Sequence, residues 1–166
     1  MGKTNHDALR QWLPEYQKRL SYYIKFEWVE LPELKNTKKL PEAEQKEEEG
    51  KRLLKQLNPS DILVLFDEKG NQHTSKGFAD FIQKRMNGGT KNLVFAIGGP
   101  YGFSADVYKR AQHKISLSTM TFSHQMVRIF VVEQLYRAFS ILNKEPYHHE
   151  WENLFLLRIT KTKFKK

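Results

Sequence analysis

Two short apolar runs, each followed by a segment with helical spacing, constrain the fold of this chain more than any other feature. Ile62–Phe66 and Leu93–Ile97 are continuously apolar, as strands are when helices cover both faces of a parallel sheet. The polar stretch Asp67–Asn71 is expected to form a turn after the first run. Strands that alternate with helices are typical of an α/β protein. We therefore expect an α/β fold in which a parallel sheet is flanked by helices.

Helical spacing, capping residues and chain breakers place the other elements. Thr74 or Ser75 and Ser104 are suitable N-caps for the helices that follow them. Pro14 should kink the first helix or mark its effective start. The predicted helices span about residues 5–20, 41–57, 75–86, 104–111 and 123–142, and further strands are expected at 24–28 and 115–117.

Length, cysteine content and charge limit the functional classes. The chain has 166 residues, which suits one domain. It has no cysteine, which excludes disulfides, thiolate metal sites and cysteine nucleophiles, and fits a reducing compartment. It has neither a long apolar span nor a signal-peptide pattern, so we expect a soluble cytoplasmic protein. The net charge of +9 favours a polyanionic partner, although residues 151–166 alone carry five basic residues against one acidic.

Glycines and hydroxyl residues follow the predicted strands. The turn Gly98-Gly99-Pro100-Tyr101-Gly102 permits close approach of a ligand to the backbone, but it suits an ordinary turn equally well. It matches neither the dinucleotide-binding nor the phosphate-loop pattern. A second polar cluster can either cap the last helix or bind a polar cofactor, and comprises Ser116, Ser118, Thr119, Thr121 and Ser123.

Other residues admit simple structural explanations. The three histidines near the C-terminal end (His124, His148 and His149) lack acidic or thiolate partners at zinc-site spacing, so we expect no metal. Glu133 and Arg137 are four residues apart and predict an ion pair on one helix, whereas an arginine facing the glycine turn can bind phosphate. Five large apolar residues are expected in the core: Met120, Phe122, Met126, Phe130 and Phe139.

Four motifs in a fixed order make the chain similar to a known family. The chain resembles the bacterial ribosomal RNA large subunit methyltransferase H family, which belongs to the SPOUT methyltransferases, over roughly residues 3–150. The motifs are IGGPYG (97–102), LSTMTFSHQMVR (117–128), EQLYRA (133–138) and PYHH (146–149).

The resemblance implies a SPOUT fold with a C-terminal trefoil knot, a homodimer and S-adenosylmethionine as methyl donor. Phe66 stands where the family more often has leucine, which would keep an apolar wall but change its shape. The implied donor-binding residues are Phe66, Gly98, Leu117, Ser118, Thr119, Met120, Thr121 and Phe122.

The resemblance also implies methylation of N3 of a pseudouridine in 23S rRNA on the assembled ribosome. His148 and Tyr147 would lie beside the target base, and Arg137 or Arg128 would contact RNA phosphate or the developing negative charge. Two other classes are consistent with the resemblance: a non-catalytic protein that binds RNA or ribosomes, and a SPOUT methyltransferase that acts on tRNA.

The chain departs from the family pattern at both ends. Residues 1–150 are expected to form a single SPOUT domain that lacks the usual first strand before Gly2-Lys3-Thr4, and residues 151–166 form a basic C-terminal extension. Residues 154–160 are strand-like and could pair with the vacated sheet edge, in the same chain or in a partner, but a basic tail without regular structure is the favoured alternative.

Overall fold

The computed structural model describes residues 7–32, 34 and 40–146. From the second helix onwards, helices and strands alternate along the chain as the sequence predicts. In order they are α1 (Asp7–Ser21), α2 (Glu42–Leu54), β1 (Ile62–Gln72), α3 (Ser75–Asn87), β2 (Leu93–Ile97), α4 (Ala105–Arg110), β3 (His113–Ser116) and α5 (His124–Leu142).

The three described strands form a parallel sheet with β1 in the centre and the order β2-β1-β3. Strand β1 pairs with β2 from Ile62 opposite Leu93 to Phe66 opposite Ile97. The prediction of an α/β fold with a parallel sheet flanked by helices is therefore confirmed. Because the strands are parallel, the carboxyl ends of β1 and β2 lie at the same edge of the sheet.

Strand β1 continues beyond its expected end. The predicted end of the strand at Phe66 is wrong, because pairing resumes after an irregularity at residues 67–70, and Phe66 and Asn71 both lie opposite Ile115. Gly70 permits this second contact, since a Cβ atom there would lie only 2.5 Å from the backbone nitrogen of Ile115. Residues 67–70, which have the composition of a turn, therefore form an irregularity within a long central strand.

The strand expected at Ile24–Trp28 is absent, and this prediction is wrong. Alternation does give the segment an apolar side, because Ile24, Phe26 and Trp28 pack against the hydrophobic core. A strand also needs a neighbouring backbone with which to pair, and this segment belongs to no ladder in the described residues. The pairing suggested for residues 154–160 lies outside the described residues.

Helices cover both faces of the sheet, so alternate side chains of β1 enter two separate cores. Val64 and Phe66 belong to the larger core, which also contains buried residues of α1, α3 and α5. Leu63 and Leu65 belong to the smaller core with Phe103 and residues of β2 and α4. The apolar run of β1 is thus buried on both faces, as its sequence predicts.

Local capping signals fix several helix boundaries. The hydroxyl of Thr74 accepts a hydrogen bond from Gly77 N–H at 3.0 Å. Ser104 and Ser123 cap α4 and α5 in the same way. Helix α1 runs through Pro14 rather than starting there. In the described part of the chain, no helix has the length and apolar character needed to cross a membrane.

Candidate cofactor and active site

A cavity of about 250 Å³ lies between the end of β3, α3 and the first half of α5. It brings together three residues from the implied donor site, Phe66, Leu117 and Phe122, although Phe66 lies about 50 residues before the other two. Its remaining lining residues are His73, Phe78, Ile115, Ser116, Phe130 and Gln134.

Aromatic rings form most of the cavity wall. The ring of Phe66 stacks on Phe95, with centroids 5.7 Å apart, and meets the edge of Phe78 at 6.4 Å. Phe122 and Phe130 form a second pair at 5.1 Å. A largely apolar cavity with a few polar groups is typical of small-molecule sites, and flat aromatic walls suit a planar heterocycle.

The loop between β3 and α5 is held by its own hydroxyl groups. Ser116 Oγ donates to the carbonyl of Ser118 at 2.9 Å, and Ser118 Oγ accepts from Met120 N–H at 2.9 Å. Ser123 Oγ caps α5 by accepting from Met126 N–H at 3.4 Å. The serines therefore shape the loop, so the capping interpretation is confirmed for Ser123.

Gly98 does not line the cavity, but the sheet register places it close to Phe66. Gly98 directly follows Ile97, which is opposite Phe66 in the β1–β2 ladder. The turn is tight, because Gly102 N–H donates to the Gly99 carbonyl at 3.1 Å and Gly102 has a φ of +77°. A Cβ atom on Gly98 would lie 3.3 Å from the ring of Phe103. The turn therefore needs glycine both for its backbone angles and for its packing.

Arg137 forms the ion pair that its spacing predicts. Its Nε and Nη2 atoms donate to Glu133 Oε1 at 3.0 and 2.6 Å, and both side chains are partly buried. Arg128 is buried on the same helix. Tyr147, His148 and His149 lie outside the described residues, and the side chain of His124 is likewise not described. Among the described residues, no three His, Cys, Asp or Glu side chains are grouped in a way that could hold a metal ion.

Comparison with known proteins identifies the family. A family model described as "Predicted SPOUT methyltransferase" matches residues 1–148. The chain belongs to the SPOUT methyltransferase family. The resemblance to ribosomal RNA large subunit methyltransferase H is also confirmed, because proteins of that name match at high identity.

Three of these relatives show the extent of the similarity. The Flavobacterium johnsoniae protein is 55% identical over 150 residues, which are 90% of this chain and 96% of the relative. The Christiangramia forsetii protein is 58% identical over 149 residues, 90% of this chain and 95% of the relative. The Parabacteroides distasonis protein is 55% identical over 150 residues, with the same 90% and 96% coverage.

Several apolar side chains of this SPOUT protein are exposed where the sequence predicts core. The core prediction is correct for Phe139 but wrong for the other four residues. Met120 is 72% exposed on the loop before α5. The other three exposed residues lie on the same loop or on the first two turns of α5, where no described element covers them. These residues are Phe122, Met126 and Phe130.

The sequence analysis named Ser116 but missed two other polar residues of the cavity wall, His73 and Gln134. His73 precedes α3 and Gln134 lies on α5, and both line the cavity with Phe66. Neither residue belongs to a recognisable spacing pattern with the implied donor-site residues. Only the packing of α3 and α5 on the sheet brings them together.

Proposed function

We propose that this chain transfers a methyl group from S-adenosylmethionine to N3 of a pseudouridine in 23S rRNA on the assembled ribosome. The observation that carries the proposal is the identity of 55–58% over 90% of the chain to the Flavobacterium and Christiangramia proteins named ribosomal RNA large subunit methyltransferase H. The convergence of Phe66, Leu117 and Phe122 on one cavity supports it.

The proposed donor site combines the aromatic cavity with backbone groups of two loops. Phe66 and Phe122 provide apolar surfaces for the adenine ring. Backbone groups of Gly98 and of residues 117–122 would bind the polar parts of the donor. The bound donor supplies an electrophilic methyl group on a sulfonium. The protein must hold the target nitrogen, the methyl carbon and the sulfur nearly in line.

Proton removal is the second requirement, because N3–H is a weak acid and the attacking nitrogen needs its lone pair. We assign Tyr147 and His148 to the environment of the target base. Arg137 is assigned to an RNA phosphate or to the developing negative charge. The ion pair with Glu133 holds the guanidinium in a defined position, so RNA would have to contact the guanidinium while this pair is kept or exchanged.

The fold and assembly of the family belong to the same proposal. Residues 1–150 would form one SPOUT domain with a C-terminal trefoil knot, followed by the basic extension 151–166. The exposed apolar residues around the cavity mouth support a homodimer, because such side chains commonly mark protein interfaces. A cytoplasmic location follows from a substrate on the ribosome.

Methyl transfer with radiolabelled S-adenosylmethionine tests the proposal. The substrates are ribosomes that lack the modification, separated large subunits and tRNA. We expect label in 23S rRNA of assembled ribosomes and a new stop in reverse transcription, since a methyl on N3 blocks base pairing. Label in tRNA would instead support the tRNA enzyme. Donor or ribosome binding without transfer would support the non-catalytic alternative.

A further inference from the structure

The phenol of Tyr108 connects segments on both sides of the proposed donor site. Its Oη donates a hydrogen bond to Asp67 Oδ2, and its ring packs against Phe103. Asp67 directly follows Phe66 on β1, and Phe103 directly follows the glycine turn that ends at Gly102. One side chain on α4 thus joins the residues that come immediately after two parts of the donor site.

Packing reinforces the same link. The ring of Tyr108 meets Phe103 edge-on, with centroids 5.9 Å apart and planes at 80°. Phe103 in turn packs against Gly98, where a Cβ atom would lie 3.3 Å from its ring. On Gly102, a Cβ atom would lie 3.9 Å from Tyr108 Oη. Tyr108 and Phe103 therefore support the glycine turn from its far side.

Asp67 is suited to be the fixed end of this link. Its Oδ1 accepts a hydrogen bond from Lys69 N–H at 2.8 Å, while Oδ2 accepts from Tyr108. Burial and the Asp67 carboxylate raise the pKa of Tyr108 to about 12. The phenol consequently keeps its proton and remains a donor throughout the neutral range.

The glycine turn needs such support. Gly98, Gly99 and Gly102 give this segment more conformational freedom than other residues would, and that freedom must be lost when a ligand binds. A hydrogen bond to a carboxylate on the neighbouring strand restricts the turn before the ligand arrives. Preorganisation of this kind raises affinity by lowering the entropic cost of binding.

We propose that Tyr108 is a positioning residue which, through Asp67, holds the glycine turn in its donor-binding conformation. This inference rests on the proposed function, because it assigns the turn to the S-adenosylmethionine site. Tyr108 acts on the donor through the turn and has no role in methyl transfer itself.

The variant Tyr108→Phe tests the inference because it removes the hydroxyl and retains the ring that packs on Phe103. We expect the Kd for S-adenosylmethionine to rise about five- to tenfold, which is within the range for the loss of one ordinary hydrogen bond, because Tyr108 is 40% exposed. At saturating donor, kcat and the KM for ribosomes should stay within about twofold, because the turn is then ordered by the donor. Tyr22→Phe is the matched control, since Tyr22 is 74% exposed.

A double-variant cycle separates positioning from a general loss of stability. In the Asp67→Asn background, Tyr108→Phe should raise the donor Kd much less than it does in the wild-type background, because the partner has already been weakened. Calorimetric titration of the full chain gives each Kd, and thermal unfolding gives each stability.

Each outcome decides the inference. The inference is supported if Tyr108→Phe has a raised donor Kd and an unchanged kcat, while Tyr22→Phe has the donor Kd of the wild type. A lowered Tm with an unchanged donor Kd overturns it and leaves Tyr108 as a structural link. If folded wild-type protein binds no donor, the proposed function and this inference fall together. If wild type and Tyr108→Phe bind equally well, only this inference fails.

Discussion

Gly70 is a position at which one added methyl group should cause a large change in this fold. The backbone of β1 passes so close to β3 that a Cβ atom on Gly70 would lie 2.5 and 2.6 Å from N and C of Ile115, and 2.7 Å from C of Lys114. Carbon atoms normally approach to about 3.5–4.0 Å. Gly70→Ala must therefore move one backbone away from the other by about 1 Å, because no side-chain rotation can relieve the contact.

The magnitude follows from what that movement breaks. Beyond the irregularity, β1 pairs with β3 at only two positions, Asn71 opposite Ile115 and Gln72 opposite Ser116. Loss of the associated backbone hydrogen bonds costs about 1 kcal/mol each. Overpacking of a close contact adds about 1–3 kcal/mol. We therefore expect Gly70→Ala to lower the free energy of unfolding by about 2–5 kcal/mol.

Urea unfolding followed by circular dichroism measures this loss, and Gly89→Ala is the matched control. Gly89 has a φ of +73° and nothing within 4 Å of an added Cβ, so its substitution costs only the left-handed strain of about 1–2 kcal/mol. Gly70→Ala should also weaken S-adenosylmethionine binding, because Ser116 lines the cavity. A cost for Gly70→Ala no greater than that of Gly89→Ala would refute the reasoning.

Three further predictions concern pH, assembly and catalysis. Burial and, to a lesser degree, Arg85 lower the pKa of His113 below its ordinary 6.5. The folded state therefore favours the neutral imidazole. The free energy of unfolding should fall as the pH drops below about 6.5 towards the folded-state pKa. The Tm of wild type should thus fall more between pH 7 and pH 5.5 than that of His113→Gln. Phe130→Asp should shift the sedimentation coefficient from dimer to monomer, because it places a charge in the exposed apolar patch. His148→Ala should lower kcat for ribosome methylation about 10²-fold or more, the usual scale for loss of an acid–base group, while donor affinity stays unchanged.

Each of these predictions has a contradicting result. Equal pH dependence in wild type and His113→Gln would remove His113 as the source of the acid sensitivity. A Phe130→Asp protein that still sediments as a dimer would place the interface elsewhere, and Lys84→Asp on α3 controls for the added negative charge. Undiminished turnover in His148→Ala would remove that histidine from the mechanism.

Elements with local signals were the ones that the sequence predicted well. Strand β2 has the predicted bounds, Leu93–Ile97, because its apolar run is bounded by polar and glycine residues. Helix α5 starts and ends within a residue of its predicted limits, because Ser123 supplies a cap at the start of a long apolar segment. In each case, the residues that decide the boundary are neighbours in the chain.

The errors have a common physical origin in contacts between distant residues. The alternation of Ile24–Trp28 gives an apolar side but cannot supply a paired neighbour. The length of β1 depends on the backbone of β3, which Gly70 approaches. The exposure of Met120 depends on whether another element packs on the loop before α5, and the spacing of apolar residues does not specify this packing.

The candidate site divides in the same way. The family resemblance supplied Leu117 and Phe122 from one motif and Phe66 from its position at the end of the first buried strand, and all three line one cavity. The place of His73 and Gln134 on the cavity required the folded chain, because the two residues come from separate elements. His73 matches no motif, and the EQLYRA motif that contains Gln134 gave that residue no role in the site.

Calorimetric titration of the full chain with S-adenosylmethionine tests the central claim most directly. We expect saturable binding near one donor per subunit or one per dimer, at the cavity lined by Phe66, Leu117 and Phe122. Leu117→Trp, which places a larger side chain in that cavity, should weaken the binding. A folded protein that gives no saturable heat with the donor would contradict the account.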